Sequence, residues 1–207
     1  MSVTLLLAIF VIGALYFFFG GSAEITKDVA EYEETMTKYS NLQTGFITFP
    51  ERIPGSAENI DFYFSYQDTW DDPTCEVFLQ CTYDEADYLA EVERLENTKK
   101  VYGTTERALA RGAEGQFQYP AYMAIDGCNY AFEYALLTGN QQITYVYTSF
   151  IKQSKLHFDK KYLPSDYKKA DYSVSTWEFG EGYNIYLKDV MENNGIIEGL
   201  SYDYTRE

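Results

Sequence analysis

The chain of 207 residues sets 16 Lys and Arg against 32 Asp and Glu, a formal net charge of −16, and is 46 % hydrophobic and 18 % aromatic. That apolar content excludes a disordered chain, and the charge excludes attraction to a phosphate backbone, so no nucleic-acid partner is expected. One His excludes His-rich metal sites, no cofactor motif is present, and the length suits one domain with an appendage.

From Val3 to Phe19 the chain reads VTLLLAIFVIGALYFFF, and no charged side chain appears before Glu24. As a helix, 17 residues rise about 26 Å, and the small residues Gly20 to Ala23 bring the stretch to roughly the thickness of a bilayer core. Residues 1–23 therefore read as a transmembrane anchor or an uncleaved signal segment, with the membrane contacted through residues 3–23. Gly21-Ser22-Ala23 offers a small-x-small cleavage site, but a basic n-region is missing, since Met1 to Thr4 has no Lys or Arg. The reading favours a retained single-pass anchor. Lys27 and Lys38 on one flank, against no cation on the other, say little about orientation. The signal-like character of the segment places the N-terminus inside and the C-terminal domain outside. With no Cys before Cys75 the chain is not a lipoprotein, and Leu163-Pro164-Ser165-Asp166-Tyr167 fails as a sortase-type wall signal.

Over residues 24–42, Ile25, Val29, Tyr32, Met36 and Tyr39 recur at helical spacing, which predicts a juxtamembrane amphipathic helix packed on its own domain. Two heptads are too few for a coiled-coil stalk. The exterior domain follows over residues 43–190. Ile60, Phe62, Phe64 and Tyr66 alternate with polar partners. After a turn over residues 68–73, Cys75, Val77, Leu79 and Cys81 alternate again, which predicts an antiparallel hairpin with one buried face. Asp84 is the expected N-cap of a helix carrying Tyr88, Val92 and Leu95 on one side and ending near Asn97. Gly103 to Gly115 has no clear period. Phe117 to Phe150 reads as a three-stranded meander. Its first strand holds Pro120, which points to a sheet edge, and Asp126-Gly127 and Thr138-Gly139-Asn140 make its turns. Tyr172 to Leu187 has strand-like pieces broken by Gly180 and Gly182, and residues 191–207 read as an acidic, loosely ordered tail. The fold class is α+β: an N-terminal transmembrane helix, then an antiparallel sheet of five or six strands with one or two packed helices.

No catalytic, cofactor or metal residue stands out. Cys75 and Cys81, six apart on one strand, lie about 20 Å from each other and cannot bond while that strand is straight. Cys128 falls in a turn, where pairing across the sheet stays open. His157, between Leu156 and Phe158, has no second His to work with. Ser149-Phe150-Ile151-Lys152 has the spacing of a Ser-x-x-Lys nucleophile, but Ser149 ends a predicted strand and no Lys-Thr-Gly or Ser-Asp-Asn accompanies it. The acidic clusters at 68–72, 84–87 and 178–181 lack the register of a calcium loop and read as solvated surface. Tyr63, Trp70 and Tyr122 lie off the predicted core faces and are candidates for stacking on a sugar ring, against the plain alternative that Tyr suits strands.

The sequence thus favours a membrane-anchored extracytoplasmic domain with a non-enzymatic role in binding a protein or glycan partner, or in envelope assembly. One alternative is an extracytoplasmic carboxylate-dependent hydrolase of glycans, which requires two acidic groups within about 10 Å in a concave pocket. The other is a secreted soluble factor released by leader cleavage.

Overall fold

The computed structural model describes residues 23–40, 46–68, 73–97, 107–111, 117–126, 131–151 and Tyr162. Its architecture is α+β: an antiparallel sheet with two α-helices. Strands β1 (Ala23–Thr26), β2 (Glu58–Gln67), β3 (Thr74–Thr82), β4 (Arg107–Arg111), β5 (Ala121–Asp126), β6 (Ala131–Gly139) and β7 (Gln142–Ser149) lie in the order β1-β2-β3-β7-β6-β5-β4. Helix α1 spans Tyr32–Ser40 and α2 spans Glu85–Asn97. Two meanders, β1 to β3 and β4 to β7, are joined where β3 pairs with β7.

The alternation in β2 and β3 sets their register. Phe62 faces Leu79, Phe64 faces Val77 and Tyr66 faces Cys75, and of these six only Tyr66 is more than marginally exposed. In β7, Ile143, Tyr145 and Tyr147 continue the same face opposite Cys81, Leu79 and Val77. Helix α1 covers the β2 end of this face: the Tyr32 and Phe62 rings meet edge-on at 5.3 Å, and Tyr39 lies 4.6 Å from Phe64 and 4.7 Å from Tyr66. Helix α2 lies over the other end, burying Leu95. Asp84 caps it as expected, its carboxylate accepting from the Asp87 amide at 2.8 Å. The segment Phe46–Pro50 runs over the same face, with Phe46 against Tyr147 at 4.8 Å and Phe49 against Tyr145 at 5.5 Å.

Four local expectations are corrected. The helix expected from residue 24 starts at Tyr32, because Ala23–Thr26 pairs with β2 and Asp28 ends the extended stretch. The Asp28 carboxylate accepts from the Ala30 amide at 2.9 Å and opens a 3-10 turn, Val29–Glu31. Ile25 consequently leaves the apolar stripe and is 56 % exposed on β1. Pro120 does not mark an edge strand: it precedes β5, which is paired on both sides, and its carbonyl accepts from the Leu137 amide at 3.0 Å. The edge is β4, from the stretch that had no readable period. With β1 and β4 at its ends the sheet has seven strands among the described residues.

The central strands are also buried on both faces rather than one. Glu76 and Phe78 of β3, Val146 of β7 and Tyr134 and Leu136 of β6 are all enclosed on the side away from the helices. Tyr162 stacks on Phe78 there at 5.4 Å, while its carbonyl accepts from Gln80 at 2.9 Å and from the Thr144 hydroxyl at 3.2 Å. Phe117 packs on Tyr134 at 5.0 Å.

The β6–β7 turn is the one expected: Gly139, Asn140 and Gln141 all have φ between 52° and 96°, the left-handed backbone that short hairpin loops require. The β5–β6 hairpin is formed, with Asp126 opposite Ala131, and Gly127 lies outside the described residues. Among the described residues no helix is long and apolar enough to cross a membrane. The apolar segment 3–19, the strand-like pieces of 172–187 and the tail 191–207 lie outside them.

Candidate functional site

Beneath the Phe46–Pro50 segment the sheet and α2 bring together a buried polar cluster. Glu133 projects from β6 on the helix face, fully buried, opposite Ala124 and Tyr147. Its Oε1 accepts from the Thr48 amide, from the Thr48 hydroxyl at 2.8 Å and from the Phe49 amide at 3.3 Å. On α2, Glu91 stands one turn after Tyr88 and one before Leu95, so it falls inside the stripe that faces the sheet and is 8 % exposed. Arg94 grips it in a bidentate pair, Nε to Oε2 at 2.7 Å and Nη2 to Oε1 at 2.6 Å. The same guanidinium donates to the carbonyls of Ile47 at 3.2 Å and Thr48 at 2.6 Å. The Tyr145 hydroxyl donates to Glu91 at 2.7 Å and shares a 2.8 Å hydrogen bond with the Tyr83 hydroxyl. Thr48 is the meeting point: its amide and hydroxyl belong to Glu133 and its carbonyl to Arg94.

Burial dominates the electrostatics here. It raises the Tyr32 and Tyr145 phenols far above their ordinary range, and the nearby Glu91 carboxylate adds to the effect. Tyr83 rises for the same first reason, helped by the adjacent Cys81. Burial pushes the Cys81 thiol up to about 12 against the opposing pull of the Tyr83 hydroxyl, and it raises Cys75 as well. For Arg94 burial works the other way, but its hydrogen bonds and attraction to Glu91 outweigh it, and the guanidinium holds its proton more firmly. The cluster therefore keeps its phenols and thiols protonated at neutral pH. Its chemistry is that of a clamp: Glu133 ties the 46–50 segment to β6 and Arg94 ties it to α2, while Tyr145 joins Glu91 to the sheet.

A measurable consequence concerns alkali and thiol reagents. Groups whose folded value lies above the unfolded one keep their protons longer in the folded state. Stability is then intact below the unfolded thiol value of 9.0 and is lost as pH rises toward the folded value of about 12 for Cys81. The loss approaches about 1.4 kcal/mol per pH unit for each such group. Thermal midpoints measured from pH 8 to 11 are expected to fall steadily over this window, and a flat profile would contradict the burial of these groups. At pH 8 the folded chain should leave Cys75 and Cys81, both free and buried, unmodified by an aromatic disulfide reagent. Both should react on unfolding.

A groove lies on the outer side of the same segment. It has a volume of about 380 Å³ and runs between α1 and the Phe46–Arg52 stretch. Met36, Phe46, Phe49 and Pro50 give it an apolar lining, and Glu33, Glu51 and Arg52 its charges. Phe49 and Pro50 thus separate groove from cluster, and the Tyr32 hydroxyl holds Pro50 in place through its carbonyl at 2.6 Å.

The residues singled out in the sequence fall elsewhere. Tyr122 is not a surface platform: it is 5 % exposed, packed in the core, and its hydroxyl donates to Glu96 at 3.2 Å. Tyr63 is half-buried against Phe78, their ring centroids 6.0 Å apart. Ser149 ends β7, buried on the helix face, where a strand cannot give the helical Ser-x-x-Lys geometry. In the 84–87 cluster Asp84 is a helix cap and Asp87 accepts from the Ser56 hydroxyl, so both carboxylates have local structural partners. Trp70, Cys128, Lys152, His157 and the 178–181 cluster lie outside the described residues. Among the described residues no three His, Cys, Asp or Glu side chains converge as a metal site would require.

Sequence reasoning missed Glu91, Arg94 and Glu133. The signal for Glu91 was present, since an acidic residue at a core position of an amphipathic helix needs a buried partner. Glu133 had none, because alternation assigned it to the wet side of a strand that proves to be covered on both faces. Comparison of the chain with known protein families, with curated proteins and with solved structures finds no match.

Proposed function

We propose that this chain is a single-pass membrane protein that presents an extracytoplasmic α+β domain for binding or envelope assembly, without catalysis of its own. The observation that carries the reading is the uninterrupted apolar run Val3–Phe19, followed within a few residues by the first strand of the sheet. Such a run needs a nonpolar solvent, and its 17 residues, about 26 Å as a helix, lie at the short end of what spans a bilayer core. The use of Glu91 and Glu133 as clamp residues supports a non-enzymatic role, because both are buried and bonded to the 46–50 segment, Arg94 and Tyr145 and do not face the α1 groove.

Fractionation of expressing cells, combined with protease treatment of intact cells and intact-mass analysis, tests this reading. The expected result is a membrane-bound chain that keeps its N-terminal residues and is trimmed from outside. A soluble product beginning at Glu24 would instead establish a secreted factor, and a chain protected inside intact cells would reverse the orientation.

A second reading, hydrolysis of a glycan by paired carboxylates, draws on Glu33 and Glu51 at the α1 groove. It requires that Glu33→Gln and Glu51→Gln each abolish a measurable activity on oligosaccharides while leaving the thermal midpoint unchanged.

A further inference from the structure

We propose that the β1 edge of the sheet rests on the bilayer, with Ile25 in the headgroup layer and Lys27 and Tyr63 beside it. The inference rests on the reading of residues 3–19 as a membrane segment. Gly20, Gly21 and Ser22 are the whole connection between Phe19 and Ala23, and four Cα steps reach at most roughly 14 Å. The headgroup region on each side of a bilayer core is about 5–8 Å thick. Strand β1 therefore begins within that layer or at most about 9 Å beyond it.

The strand cannot drift away alone. It pairs with β2 along its length, Ala23 opposite Gln67 through Thr26 opposite Phe64. Glu24 ties it to α1 by accepting from Lys38 Nζ at 2.8 and 3.0 Å and from the Tyr39 hydroxyl. The sheet edge and α1 thus move as one body, and the short connection brings that body to the membrane.

The side chains on the edge fit this position. Ile25 is 56 % exposed, and with Leu89 on α2, at 58 %, it is one of two large apolar side chains left in solvent among the described residues. It lies opposite Ser65, on the sheet face away from the helices, because its neighbours Glu24 and Thr26 pair with Tyr66 and Phe64 of the helix face. Tyr63 lies on the same face, with Lys27 Nζ 5.5 Å from its ring centroid. An aliphatic side chain, a tyrosine and a lysine suit the interface, where an amphipathic ring sits at headgroup level and a lysine stem lies along apolar surface with its ammonium in the polar layer. A net charge of −16 opposes approach to an anionic leaflet. The contact is therefore held by the tether and apolar burial, and does not need acidic lipid.

The test uses the full chain with Cys128→Ser, carrying either Ile25→Cys or Leu89→Cys labelled with an environment-sensitive fluorophore. Each is reconstituted in phosphatidylcholine vesicles containing a spin-labelled quencher lipid. Both positions are exposed, so the substitutions leave the fold intact, and the buried Cys75 and Cys81 stay unlabelled. Quenching at position 25 is expected to exceed that at position 89 by about threefold or more, with or without added phosphatidylglycerol. Equal quenching at the two positions, in a chain that stays in the carbonate-washed pellet, overturns the contact and leaves the anchor standing. Release of the chain into the carbonate supernatant overturns the anchor itself.

Discussion

Glu133→Ala is expected to destabilise the domain by about 3–5 kcal/mol, the summed scale of leaving several buried donors without an acceptor. Three donors lose their acceptor at once: the Thr48 amide, the Thr48 hydroxyl and the Phe49 amide. Glu133 and Thr48 are both fully buried, so bulk water does not reach the site to replace the carboxylate. Glu133→Gln keeps a carbonyl oxygen for some of these donors and should cost less, about 1–2 kcal/mol. Urea unfolding of the full chain in mild detergent, followed by tyrosine fluorescence, measures both. Loosening of the 46–50 segment should also speed tryptic cleavage after the exposed Arg52 in the alanine variant. An alanine variant within about 1 kcal/mol of the parent would show that this carboxylate does not hold the segment.

That such a residue escaped the sequence while the hairpins did not follows from the different physics of each. Period-two alternation in Ile60–Tyr66 and Cys75–Cys81 encodes which side chains share a face, and the two strands form the expected antiparallel hairpin. The β6–β7 turn was equally readable, because Gly139 and Asn140 supply the left-handed backbone at a local energy cost the sequence itself reveals. The second covered face was not readable from alternation. Phe78 acquires its burial from a distant residue, Tyr162, and a strand enclosed on both sides no longer has a polar side. The four-residue β1 was lost for a similar reason. Ile25 fits the helical spacing of Val29 and Tyr32, and only its ladder with β2, about 40 residues away, makes it a strand. The buried cluster needed both kinds of information. Glu91 sits in a local pattern, whereas its partner Tyr145 and the Thr48 that Arg94 also holds come from elsewhere in the chain.

Arg94→Met should cost about 2–4 kcal/mol, less than a fully buried pair would, since the Arg94 side chain is 36 % exposed while Glu91 is 9 %. The loss has two parts: a buried Glu91 that keeps the Tyr145 hydroxyl but loses its guanidinium, and the carbonyls of Ile47 and Thr48 deprived of the same group. Arg94→Lys tests the second part, because one ammonium cannot reproduce a planar fork that serves a carboxylate and two carbonyls together. A double variant, Glu91→Leu with Arg94→Met, removes the uncompensated charge and is expected to cost about 2 kcal/mol less than the sum of the single changes. Combining Arg94→Met with Glu133→Ala probes the shared anchor instead. Thr48 gives its carbonyl to Arg94 and its amide and hydroxyl to Glu133, so once either partner is gone the segment is already partly released and the second change removes less. Sub-additive costs in that cycle are the signature of one clamp acting through Thr48. Strict additivity would mean two independent contacts, and the 46–50 segment would then be held by Phe46 and Phe49 packing on the sheet more than by its buried charges.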